Sequence, residues 1–68
     1  MTLSARNHLK GIVDEMQMGD VLAYITVRMA DSVIESVITL RSAEELGLKK
    51  GDSVTAVVKA TEVMISKP

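Results

Sequence analysis

Cysteine is absent from the 68 residues, which rules out disulfides, thiolate nucleophiles and cysteine zinc sites. The absence fits a reducing compartment, so the cytoplasm is the expected location. Aromatic residues are almost as scarce. There is no Phe and no Trp, and Tyr24 stands alone, so the stacking platforms of single-stranded nucleic-acid binders cannot be assembled. His8 is the one histidine, and no cluster of His and carboxylates has ligand-like spacing, so no metal site is expected. Neither sign of charge dominates: eight Lys and Arg face nine Asp and Glu, a net charge of −1. A binder that neutralises phosphates needs a basic excess, and nucleic acid is therefore not an expected partner. No apolar run approaches the roughly 20 residues of a membrane span, and the first eight residues lack a secretory apolar core. No membrane partner is expected either.

What the chain does have is Val, Ile, Leu and Met, in an apolar fraction of 47%, arranged mostly in alternation. Alternation over five to ten residues between short turn signals reads as β-structure. Asn7 to Met16 sets Leu9, Gly11 and Val13 against His8, Lys10, Ile12 and Asp14. After a turn at Met18-Gly19-Asp20, Val21 to Met29 sets Val21, Ala23, Ile25, Val27 and Met29 against Leu22, Tyr24, Thr26 and Arg28. Ala30-Asp31-Ser32 turns the chain into Val33 to Leu40. Ser42, three residues before Glu45, reads as a capping box opening one short helix, which Gly47 ends. Lys49-Lys50-Gly51-Asp52 is a further turn. Val54 to Lys59 is a fourth strand, and Glu62 to Ile65 a fifth. No repeat or linker divides residues 1–68, which read as a single domain.

A chain this short hides only about 60% of its unfolded surface, and folds of this size commonly need a disulfide, a metal or a partner subunit. The first two are excluded. Strands apolar on both faces also exceed what one small core can cover, so a homo-oligomer is expected.

Catalysis requires titratable groups converging on a pocket; with one His and no Cys, an enzyme is not expected. The five Met residues lack a converging pattern and read as core or interface filler. His8, alone on an amphipathic strand, reads as an ordinary surface or interface residue. Lys49 and Lys50 read as a solvated loop. Three segments gather hydrogen-bond donors suited to an oxyanion: Ser4-Ala5-Arg6-Asn7, Thr39-Leu40-Arg41-Ser42 and Lys59-Ala60-Thr61. The helix opening at Ser42 would add N–H groups. A plainer reading covers the same residues, with Ser42 as an N-cap, Ser4 as a terminal polar residue and Lys59 as a snorkelling strand lysine. Residue types alone leave both open.

Ser4 to Gly11, SARNHLKG, resembles the amino-terminal signature of the molbindin (Mop) family, usually SARNQLKG or similar. The resemblance continues through ITLRSAEELG at Ile38 to Gly47 and VTAVVKATEVMI at Val54 to Ile65, and so covers essentially the whole chain. It implies an all-β, OB-like five-stranded barrel with one short helix, a single TOBE/Mop module. It implies a hexamer built as a trimer of dimers, with molybdate or tungstate held between subunits and no catalytic cofactor. By the family pattern the site takes the Ser4 hydroxyl and the Arg6 backbone from one segment, and Lys59 with the Ala60 backbone from another. Thr39 and Ser42 would come from a neighbouring copy. Two positions depart from the pattern: His8 stands where Gln is common, and Ala60 where many relatives have Ser, which removes one hydroxyl but leaves the N–H. The function implied is reversible oxyanion binding for intracellular molybdenum storage and homeostasis. The alternatives are a ligand-free structural or regulatory oligomerisation domain and an OB-type nucleic-acid module.

Overall fold

The computed structural model describes residues 6–68. Strands β1 (Arg6–Met18), β2 (Leu22–Met29) and β3 (Ser32–Thr39) lead into helix α1 (Leu40–Leu46); β4 (Ser53–Lys59) and a 3-10 turn (Ala60–Glu62) follow. The strands form one antiparallel sheet in the order β3-β2-β1-β4.

β1 organises the sheet because two strands share it. Its first half, Arg6 to Ile12, pairs with β4, and Ile12 to Met18 pairs with β2. Gly11 lies where β1 changes neighbours, and a Cβ there would stand 2.6 Å from Val27 Cγ1 and 2.7 Å from the Arg28 carbonyl oxygen. Only a residue without a side chain fits that approach. A bulge between Val13 and Glu15 inserts Asp14 as the extra residue. Strict alternation would carry Met16 to the outer face; the extra residue reverses the parity, so Val13 is buried and Met16 packs against the same core. The bulge is anchored from the loop before β4, where Val13 N–H donates to the Asp52 carbonyl at 2.9 Å and Gly51 N–H to the Val13 carbonyl at 2.8 Å.

Ala23, Ile25 and Val27 are buried on the face of β2 that the alternation assigns to the core, while Val21 lies before the strand and is exposed. With Val13 and Ala43 they make up the buried core, surrounded by Met16, Met29, Ile34, Ile38, Leu48 and Val54. Between sheet and helix remains a cavity of about 320 Å³ lined largely by Val13, Ile25, Val27, Ile38, Leu48 and Val54. On the outer face Tyr24, Val33, Val37 and Val57 are each about half exposed.

Two expectations change. α1 starts at Leu40, so its N-cap is Thr39 and not Ser42: Ser42 N–H donates to Thr39 Oγ1 at 3.0 Å. Glu45, expected to close a box with Ser42, instead pairs with Arg41 at 3.2 Å one turn away. The helix ends at Gly47 as expected, at φ 62°, with Gly47 N–H donating to Glu44 and Leu48 N–H to Ala43. These are the paired bonds of a Schellman ending, and Leu48 beyond it packs into the core.

Where five strands are expected, the described residues form four. The chain leaves β4 through the 3-10 turn closed by Val63 N–H on the Ala60 carbonyl, and Val63 to Ile65 form no strand, with Met64 93% and Ile65 89% exposed. A strand is stabilised by its cross-strand neighbours. The turn carries these residues off the line of β4 before any such pairing forms.

Candidate oxyanion site

Cross-strand partners on one sheet face project the same way. Along β4 the exposed residues are Ser53, Thr55, Val57 and Lys59, and their partners are Ile12, Lys10, His8 and Arg6. Arg6 and Lys59 therefore stand directly opposite each other at the end of the ladder, with Lys10 four residues along the same face. Directly opposed like charges destabilise a sheet unless an anion separates them. Among the described residues the ion pairs are Arg28 with Asp14 at 3.3 Å and Arg41 with Glu45 at 3.2 Å, and neither involves Arg6, Lys10 or Lys59. Ala60 follows Lys59 at once and opens the 3-10 turn, so its N–H lies ahead of that turn's own hydrogen bond. Asn7, on the inner side, donates from Nδ2 to the Val58 carbonyl at 3.5 Å.

Thr39 and Ser42 lie elsewhere. Thr39 pairs with Leu22 at the far end of β2, beside the Met18 end of β1, whereas Arg6 begins β1. The two donor groups are thus separated by the length of the 13-residue β1. At the Thr39 end the hydroxyls are already ordered. Thr39 Oγ1 accepts from Ser42 N–H and donates to Ser42 Oγ at 2.8 Å. The two hydroxyls are bonded to each other, which uses one of their protons and leaves the other to give outward. Around them a hollow of about 510 Å³ is lined by Asp20, Val21, Thr39, Leu40, Arg41 and Glu44. One end of the sheet is basic; the other offers neutral donors among carboxylates.

Of the expected site residues, the structure brings Arg6, Lys59 and Ala60 together and Thr39 to Ser42, and it keeps the two sets apart. Ser4 lies outside the described residues. The opposed charges of Arg6 and Lys59 were not read from the sequence, since finding them requires the β1–β4 register. The capping role of Thr39 had a signal, Thr39-Leu40-Arg41-Ser42, a hydroxyl residue three positions before another. Among the described residues no group of three or more His, Asp or Glu could hold a metal ion, and no helix is long and apolar enough to cross a membrane.

The TOBE domain family matches residues 3–65. Molybdenum-pterin-binding protein 2 of Clostridium pasteurianum is 50% identical over 66 residues, which cover 96% of this chain and 97% of that protein. The molybdenum transport protein ModE of Azotobacter vinelandii is 42% identical over 67 residues, 97% of this chain and 25% of that protein. Among solved structures, a molybdate binding protein from Sporomusa ovata superposes with a TM-score of 0.89 at 40% identity, covering 98% of this chain and all of that one. MopII from Clostridium pasteurianum superposes with a TM-score of 0.87 at 48% identity, covering 97% and 100%. Two of these are named for binding and one for transport, and none is named for catalysis. By family match, identity and fold together, the chain belongs to the TOBE domain family and, within it, to the molybdenum-pterin-binding (Mop) proteins.

Proposed function

We propose that this chain binds molybdate or tungstate reversibly at sites between copies of itself, as a cytoplasmic store that buffers molybdenum supply, and that it catalyses no reaction. One observation carries the reading: Arg6 and Lys59 face each other with no carboxylate paired to either among the described residues. A dianion placed there turns a repulsion into two attractions. The relatives named for molybdenum-pterin and molybdate binding support molybdate as the anion.

Lys59 provides the fixed charge, the Arg6 and Ala60 backbones provide N–H donors, and Ser4 provides a hydroxyl. Thr39 and Ser42 reach the anion from a neighbouring copy, with Ser42 giving the proton and Thr39 orienting it. Support for the intersubunit arrangement is geometric, since the two donor sets sit at opposite ends of β1 in one chain. Charge adds to it: the end with Arg6, Lys10 and Lys59 complements the end with Asp20 and Glu44. The apolar outer face, with Tyr24, Val33, Val37 and Val57 half exposed, gives copies a surface to bury. A hexamer of three dimers, each chain one module over residues 1–68, is the proposed assembly.

Titration calorimetry with molybdate, tungstate and sulfate, alongside light scattering, tests this. Molybdate and tungstate should bind and sulfate should bind more weakly, through cavity size, since all three are tetrahedral dianions near neutral pH. An oligomer that binds none of them would be a structural or regulatory assembly instead. A folded monomer at micromolar concentration would remove the intersubunit site.

A further inference from the structure

We infer that His8 sets the pH range over which the oxyanion is held, because a proton on its imidazole and an anion between Arg6 and Lys59 stabilise each other. The inference rests on the oxyanion reading above and adds a regulating residue to that site. The anion is held through its oxygens by hydrogen bonds and charge, so His8 acts on it through space.

His8 lies on the outer face of β1 between Arg6 and Lys10, opposite Val57, with Lys59 on the diagonal. Same-face neighbours along a strand, and cross-strand diagonals, stand roughly 7 Å apart. That is within a Debye length at physiological salt. Three charged groups share the outer face with His8. β1 contributes Arg6 and Lys10, and β4 contributes Lys59. β2 pairs with β1 only from Ile12 onward, where Arg28 is held by Asp14. Glu62, from the 3-10 turn, lines a hollow on the inner side with Asn7, Leu9 and Val58. Within one chain the face that His8 shares is therefore cationic, and in the proposed assembly the Asp20 and Glu44 end of a neighbouring copy meets it.

Without an anion, a proton on His8 adds one more positive charge to a strip that already holds three. With a dianion between Arg6 and Lys59, the same proton meets two negative charges at similar range. Anion binding thus favours proton uptake, and by linkage proton uptake favours anion binding to the same extent. Histidine is the residue type that commonly exchanges a proton near neutrality, which sets the range over which the coupling is tested. Binding is tighter on the acid side and released on the alkaline side.

Calorimetric titration of the assembled full chain with sodium molybdate, in pairs of buffers with different ionisation heats, reads the affinity and the protons taken up. Wild type should take up a fraction of a proton per anion near neutrality and bind about three- to ten-fold more tightly at pH 6 than at pH 8. His8→Gln should show neither effect and should bind at both pH values as weakly as wild type does at pH 8. His8→Lys should also be flat, but at the tight level. Molybdate binding without proton uptake in wild type, or uptake that persists in His8→Gln, overturns the role of His8 and leaves the oxyanion site standing. Absence of molybdate binding at every pH overturns the site and this inference with it.

Discussion

The two ends of β1 make the same fold do different work. At its start the strand has β4 on one side, Arg6 and Lys10 on its outer face, and Lys59 of β4 opposite Arg6, a like-charged pair that an anion would relieve. At its finish it has β2 on one side, with the β3–α1 junction beyond, where Thr39 and Ser42 are hydrogen-bonded to each other beside Asp20, Arg41 and Glu44. One end has charge in need of a ligand, and the other has ordered hydroxyls and no net need of one. Neither end gathers all the donors of the proposed site. On that proposal binding and assembly are one problem, solved when unlike ends of two copies meet.

Gly11 holds the two ends in their relation, and its replacement gives the largest expected effect. A Cβ at this position meets Val27, the Arg28 carbonyl and Met29, each within 2.8 Å. The Arg28 oxygen is backbone and cannot swing aside, so either β1 or β2 must move. Gly11→Ala should cost about 3 kcal/mol, the upper part of the usual range for overpacking. Where five of the described residues make up the buried core, that is a large fraction of total stability. Thermal unfolding followed by circular dichroism should show the variant largely unfolded or melting far below wild type. A near-native melt would mean that the junction between the two halves of β1 is soft.

Next in size is the charge at the basic end. A hydrogen bond to a charged group is worth about 1.5–3 kcal/mol, roughly ten- to a hundred-fold in affinity. Lys59→Ala should weaken molybdate binding by that much. Stability of the ligand-free protein should move the other way or not at all, because the repulsion with Arg6 is removed. The same protein, melted with and without molybdate, should therefore lose most of its ligand-induced gain in Tm while its ligand-free Tm holds. Undiminished binding by a folded, oligomeric Lys59→Ala variant would sink the proposed site.

Much of this architecture is legible in the sequence, for reasons that also explain what is not. Ala23, Ile25 and Val27 alternate so regularly with Tyr24 and Thr26 that the core face of β2 follows from period alone. Gly47 marks the helix end because few other residues adopt φ 62° without strain. Met16 is misplaced by the same reasoning, because a bulge adds one residue without any residue type that announces it. Val63 to Ile65 have strand-like side chains but no strand, since pairing depends on a partner that local sequence does not contain. Lys59 is legible as a candidate cation from its donors and its family resemblance. Its confrontation with Arg6 is a property of register, which joins residues more than fifty positions apart.

At the hydroxyl end, stability and binding should separate between two neighbouring substitutions. Thr39 is the N-cap, so Thr39→Ala removes the acceptor for Ser42 N–H and should cost about 1 kcal/mol. Ser42 is not the cap, and among the described residues its hydroxyl is bonded to that of Thr39. Ser42→Ala should therefore stay within about 0.5 kcal/mol of wild-type stability and still lose about ten-fold in molybdate affinity, the hydrogen bond of one neutral donor to a charged acceptor. Urea denaturation and calorimetry on the two variants give the cross. If Ser42→Ala is the less stable of the pair, the helix starts later than Leu40 and the ordering of the two hydroxyls is wrong.

The smallest effect distinguishes how the two ends meet the same backbone demand. Gly47, at the helix end of the molecule, takes φ 62° at no steric cost, whereas the two-residue turn joining β2 to β3 places Ala30 at φ 51°. A positive φ at the first central position of a two-residue hairpin loop is the type II′ pattern, which favours Gly there. The Cβ of an L-residue in that region costs roughly 1–2 kcal/mol. Replacing Ala by Gly removes the strain but returns conformational entropy to the unfolded chain, which offsets about 0.4–1 kcal/mol of the gain. Ala30→Gly should therefore stabilise the fold by about 0.5–1 kcal/mol. A domain of this size gains several degrees in Tm from such a change. Molybdate affinity should not change, because the turn carries none of the proposed donors. The reverse replacement, Gly47→Ala, imposes a comparable strain where none existed and should lower Tm by a similar amount. Melts of the two variants side by side test the pair: if Ala30→Gly destabilises, the hairpin is held by contacts of the Ala30 methyl and not strained by its backbone.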